Sequence, residues 1–197
     1  MAVGPLIGLI FMVGCHHRAP APGLPYSMSD VAPTTAPGTQ AELDLAGTAY
    51  PVGLKTTDKD GRLQIDLVSH DEVFEVERYA YDEESFSLME AAEEHYSPPL
   101  PLLSFPIHTD DPGSWSGTMT TGPIARPATA KISTSIEHTY IGGTSEDTLK
   151  VVVDLDLVAD QNRAPLKRQL VFWFEKGRGL IKREFGSADV RQPPNSQ

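Results

Sequence analysis

An all-β fold is what this sequence predicts: mainly antiparallel, one curved meander sheet forming a half-barrel or open β-sandwich, with little helix. Three observations predict it. The hydrophobic period along most of the chain is two rather than 3.6. The alternating runs are separated by short turns rich in Gly, Asp and Asn. The pattern persists from Leu43 to Val190, about 150 residues, and a chain of that size buries roughly two-thirds of its unfolded surface, enough for one core.

The elements follow in order. Lys55 to Thr57 and Arg62 to Ser69 flank Asp58-Lys59-Asp60-Gly61. Set against a calcium loop with Gly61 at position 6, that segment places Thr56 and Leu67 where the carboxylates should be, so it reads as a hairpin turn. Val73 to Tyr81 is a further strand. In Ser85 to His95 the spacing of Phe86, Met89, Glu90 and Glu93 permits a helix, but the surrounding meander favours a strand. Pro98, Pro99, Pro101 and Pro106 are expected to forbid regular structure between Ser97 and Ile107, leaving Leu100, Leu102, Leu103 and Phe105 pinned against the sheet. Ala130 to Tyr140 and Leu149 to Leu157 alternate with period two on either side of Gly142-Gly143-Thr144. Asp160-Gln161-Asn162-Arg163 turns the chain into Leu166–Phe174, and Lys176-Gly177-Arg178-Gly179 turns it again into Leu180–Phe185.

The N-terminus reads as an address. Residues 3 to 13 are an apolar run of 11, half the roughly 20 that a spanning helix needs and the length of a secretory h-region. Its end, Met12-Val13-Gly14-Cys15, resembles a bacterial lipoprotein lipobox. That resemblance implies a signal peptide over residues 1–14 and a mature chain starting at a lipidated Cys15. Two or three acyl chains would anchor it firmly to a membrane. His16, where an aspartate marks inner-membrane retention, points to the cell envelope at the outer membrane, facing the periplasm. His16-His17 reads as a polar flank rather than a metal site. From Ala19 to Ala41 the only charged residue is Asp30, among recurring Pro, Ala and Thr. Residues 15–42 are therefore expected to be the lipidated cysteine and a disordered tether, reaching about 80 Å when extended. Residues 43–190 form the β-sheet domain, and 191–197 a disordered tail.

The formal charge is −11, which argues against a nucleic-acid partner, since phosphates demand clustered Lys and Arg. A single cysteine excludes an internal disulfide framework and a Cys-rich zinc module. Between Asp66 and Glu94 lie 11 acidic side chains and one base, Arg78. This segment reads as a solvated sheet face that blocks edge-to-edge association. Glu75 and Glu77 are placed on one face of their strand, with Phe74, Val76 and Arg78 on the other. Gly113-Ser114-Trp115-Ser116-Gly117 has Trp where a nucleophile elbow needs Ser. His70, His95, His108 and His138 have no metal spacing and no serine placed beside them. No catalytic residue, cofactor or metal ligand is assigned, and Cys15 is the one functional position.

The C-terminal half carries one resemblance. Pro98-Pro99-Leu100-Pro101-Leu102-Leu103, Gly113-Ser114-Trp115 and the run Trp173-Phe174-Glu175-Lys176-Gly177-Arg178-Gly179-Leu180-Ile181-Lys182-Arg183-Glu184 together resemble bacterial secreted β-sheet domains of the DUF3108-type and LolA/LppX-like lipoprotein folds. The resemblance spans roughly residues 50 to 186. It implies a last hairpin formed by Gly177 and Gly179 with Trp173 on the sheet, and, for the LolA/LppX-like members, acyl chains held in a concave half-barrel. The expected function is a lipid-anchored envelope lipoprotein without enzymatic activity, binding a protein partner or serving a structural role. The alternative is a carrier of lipid or another hydrophobic ligand in the concavity.

Overall fold

The computed structural model describes residues 23–32, 39–45, 48–141, 144–158 and 166–187. Cys15, the signal segment, the Asp160–Arg163 turn and the 191–197 tail lie outside them. A short helix α1 (Met28–Val31) precedes β1 (Thr39–Leu45), β2 (Thr48–Lys59), β3 (Arg62–Ser69), β4 (Glu72–Tyr81), β5 (Ser85–Ala91) and β6 (Glu94–Ser104). Then follow β7 (Gly113–Thr121), β8 (Ile124–Ile141), β9 (Thr144–Leu157), β10 (Leu166–Glu175) and β11 (Gly179–Ser187). The strands form one sheet in sequential order, β1 to β11, with neighbours antiparallel. The sheet curls into a half-barrel, as the alternation predicts.

Local chemistry sets the turns. Lys59 pairs with Arg62, leaving Asp60-Gly61 as a two-residue loop with φ of 53° and 73°. Positive φ at both positions is the geometry whose twist matches a hairpin. A Cβ on Gly61 would sit 2.6 Å from the Tyr81 carbonyl oxygen, so glycine is required there for space as well as conformation. The β3–β4 and β5–β6 hairpins use the same device at His70-Asp71 and Ala92-Glu93. At the β10–β11 turn Gly177 and Gly179 both adopt a φ of 76°, and Trp173 lies on β10.

One face of the alternation fills the concave side. Leu63, Ile65 and Leu67 from β3, Leu149, Val151, Val153 and Leu155 from β9, and Leu170, Phe172 and Phe174 from β10 are buried there. Curling brings strands far apart in order into contact. On a flat sheet β5 and β10 would be about 24 Å apart at ~4.8 Å per strand. Here the Phe86 and Phe174 rings meet edge to face, with centroids 5.5 Å apart.

Three expectations are corrected. The proline-rich stretch is a strand: β6 runs through Pro98, Pro99 and Pro101. It pairs with β7 only over Glu94–Ser97, and from Pro98 onward its ladder is with β5 alone. With one edge unpaired, the missing N–H groups cost less. Trp115 spans the resulting fork, its indole N–H donating to the Pro98 carbonyl at 3.1 Å. The tether is also shorter than expected. Val31 is fully buried and Leu24, Tyr26 and Met28 pack against the core. The Leu24 N–H donates to Ile107 O at 2.8 Å and the Gly177 N–H to Asp30 O at 3.0 Å. Four apolar side chains within eight residues supply the burial that offsets ordering entropy. Strand β1 likewise begins at Thr39, inside the span assigned to the tether. The third correction concerns the acidic segment, whose Glu77 and Glu94 point inward.

Candidate functional site

Glu77 and Glu94 begin the same three-residue pattern, Glu-x-Tyr, on two different strands. Residues two apart share a strand face, so each glutamate points with its tyrosine into the core. The Tyr79 hydroxyl donates to Glu77 Oε2 at 3.0 Å, and the Tyr96 hydroxyl donates to Glu94 Oε2 at 2.9 Å. Each carboxylate also meets an arginine from the far side of the curled sheet. Arg183 on β11 pairs with Glu77, and Arg168 on β10 pairs with Glu94. The two ion pairs span the interior at separate points.

Their electrostatics are set by burial. Glu77 is fully buried, and desolvation pushes its carboxyl up to about 7 against the opposing pull of the Arg183 guanidinium and the Tyr79 hydroxyl. The Glu75 carboxylate adds to the upward push. The Tyr79 phenol is held well above its ordinary value, by burial first and by Glu77 next. Burial also raises the Tyr96 phenol and lowers the Arg168 guanidinium.

The Glu94–Arg168 pair forms one wall of an open cavity of about 240 Å³ at the end of the half-barrel. Met119 and Thr121 of β7, Ile124 and Arg126 of β8, and Leu157 and Leu166 complete its lining. Met119 and Leu157 are buried, whereas Ile124 and Leu166 stand about half exposed at the rim, at 52% and 49%. Arg126 lies opposite Met119 in the β7–β8 register and is exposed. Among the described residues it has no hydrogen-bond or ion-pair partner. The arrangement combines an apolar floor, a fixed arginine and a free one, and can hold a small ligand with an apolar body and a negative end.

On the convex face, Trp173 is buried beneath Glu137, Lys150 and Lys182. Its indole N–H donates to Glu137 Oε2 at 2.8 Å, a bond that lowers the Glu137 carboxyl. Lys182 and Lys150 lie 4.3 Å and 5.3 Å from the ring centre. Here carboxylate, indole and ammonium groups satisfy one another, so the cluster braces β8 to β11.

The histidines weighed in the sequence remain apart. His138 faces Asp147 at 2.5 Å with both side chains largely exposed. His95 approaches Glu90 at 3.5 Å beside Arg78, and His70 bonds its neighbour Ser69 at 3.0 Å. No group of three or more His, Cys, Asp or Glu able to hold a metal ion occurs among the described residues. Cys15 lies outside them. Arg126, Arg168 and Glu94 were not singled out by sequence reasoning. The available signal was parity: Glu94 shares its face with buried Tyr96, and Arg168 shares its face with Leu170 and Phe172. Comparison with protein-family models, with curated proteins and with solved structures finds no match to this chain.

Proposed function

We propose that this protein is a lipid-anchored lipoprotein of the bacterial cell envelope, held through Cys15, most naturally at the outer membrane facing the periplasm, and acting as a non-enzymatic partner-binding module. The observation that carries the binding-module reading is the filled inner face of the sheet. Phe86, Leu88, Leu100, Phe172 and Phe174 are all 0% exposed and occupy the space that an acyl chain would need. A carrier needs that space empty. Exposed apolar residues instead gather at one end of the meander, with Val73 and Phe74 beside the β3–β4 turn, Ile124 beside the β7–β8 turn, and Val158 and Leu166 flanking the β9–β10 connection.

Two measurements test the two parts of this reading. Metabolic labelling with a palmitate analogue is expected to tag the wild-type chain and miss Cys15→Ser; equal labelling removes the anchor. Native mass spectrometry of protein expressed in bacteria is expected to show the polypeptide without a lipid adduct. A stoichiometric adduct of acyl-chain mass would replace the binding module with the alternative, a carrier of lipid or another hydrophobic ligand in the concave sheet.

A further inference from the structure

We propose that the mouth of the half-barrel between β6, β7, β8 and β10 is a binding site for a small apolar monocarboxylate, with Arg126 and Arg168 as its carboxylate clamp. This goes beyond the partner-binding reading and does not depend on it.

Charge comes first. Three charged side chains line the cavity, Glu94, Arg126 and Arg168, and they sum to one positive charge, so a monoanion neutralises the site. Glu94 is already committed: one oxygen accepts from Tyr96 and the other pairs with Arg168. It therefore fixes Arg168 in place. A guanidinium carries five N–H donors in a planar fork; pairing one nitrogen, Nη1, with Glu94 leaves donors for a second carboxylate. Arg126 has no partner among the described residues and supplies the second cation. A planar carboxylate is the anion that arginine forks match best at close range.

Size and polarity come next. The lining beyond the arginines is Met119, Ile124, Leu157 and Leu166 with a single hydroxyl, Thr121. Inorganic anions would leave this apolar surface wet, whereas a short hydrocarbon body would cover it. At about 240 Å³ the cavity falls below the usual range for drug-sized ligands, roughly 300–1,000 Å³. It is closed below by the packed core, where Tyr96 and Leu155 are buried. The site thus takes a short chain or single ring and not a long acyl chain.

The test is calorimetric titration of the full chain with hexanoate at low ionic strength. Saturable one-to-one binding is expected. Hexanamide, which keeps the shape and loses the charge, should bind at least about ten-fold more weakly, the usual cost of losing a charged hydrogen-bond partner. Arg126→Gln should weaken hexanoate by a similar factor and leave hexanamide unchanged, while Arg126→Lys should recover part of the loss. Arg126 is exposed and unpartnered, so these variants are expected to melt with the wild type. Leu166→Asp, which sets a carboxylate at the rim, should abolish hexanoate binding. Absence of saturable binding overturns the proposal, as does equal affinity for hexanamide or an unchanged affinity in Arg126→Gln. Palmitate binding more tightly than hexanoate and insensitive to Arg126 would also overturn it, and would point to a lipid cavity instead. Failure to bind hexanoate leaves the partner-binding reading standing, because that reading rests on the filled interior.

Discussion

Arg183→Met is expected to destabilise the protein by about 3–5 kcal/mol near pH 8.5 and by much less near pH 5, because removing one partner of a buried ion pair strands the other charge. The stranded group is Glu77, fully buried with Arg183 as its cation. Its carboxyl is raised from an ordinary value of 4.5 to about 7, and that direction fixes the sign. Below about pH 4.5 folded and unfolded chains both hold the proton, and the contribution of the neutral buried form is fully present. As pH rises towards 7 the unfolded chain releases its proton first, so stability falls, by up to about 1.4 kcal/mol per pH unit and about 3 kcal/mol in all. Above 7 the folded carboxylate is ionised, and Arg183 is what makes that tolerable. Without the guanidinium the Glu77 carboxyl moves higher still, and the decline extends to more alkaline pH. Urea unfolding of wild type, Arg183→Met and Glu77→Gln across this range separates the effects. Glu77→Gln should remove this group's share of the slope. An Arg183→Met penalty equal at both pH values would show that Arg183 acts through packing alone.

The same residues show what the sequence could and could not disclose. Period-two alternation located β3, β8, β9 and β10, and in β9 the alternating set Leu149, Val151, Val153, Leu155 and Leu157 is the buried one, because there every second residue is aliphatic. Strand β4 was harder. The acidic segment reads in the sequence as a solvated face, with Glu75 and Glu77 opposite Phe74, Val76 and Arg78, yet Phe74 is 47% exposed and Glu77 is fully buried. Parity with Tyr79 and Tyr81 was the better guide, but a glutamate on an inner face reads as an error until its cation is seen. That cation lies 106 positions away at Arg183, and local patterning carries no information about which distant side chain will arrive. The proline run failed for a related reason. Proline forbids a centrally paired strand, and only the fork between β6 and β7 reveals that this segment lacks a partner on one side. The mouth site is of the same kind: Glu94, Arg126 and Arg168 come from three strands and converge only when the sheet curls. The resemblance of Met12-Val13-Gly14-Cys15 to a lipobox rests on consecutive residues, and so asks nothing of the fold.

Curling itself can be measured, through the contact between Phe86 and Phe174. Phe174→Ala is expected to cost about 3–5 kcal/mol and Phe86→Ala a similar amount, the usual range for emptying a buried aromatic site. Both rings are 0% exposed, and Phe86 is flanked by further aromatics, with Tyr79 5.2 Å and Tyr81 6.4 Å away by ring centroid. Neither single loss distinguishes a curled sheet from a flat one packed against something else. The double mutant does. Five strand steps separate β5 from β10, so no ladder hydrogen bond or cross-strand neighbour couples these two positions. Their energies can depart from additivity only by direct contact across the interior. An edge-to-face pair with centroids 5.5 Å apart should give a coupling of about 0.5–1.5 kcal/mol, read from urea midpoints of the two single variants and the double. Leucine at both positions, which keeps much of the volume, guards against a double alanine variant that does not fold. Coupling below about 0.3 kcal/mol in both cycles would place the rings in separate environments, and the half-barrel would have to open. Coupling in the expected range ties β5 to β10 across the interior, through the same curvature that brings Arg168 on β10 to Glu94 on β6.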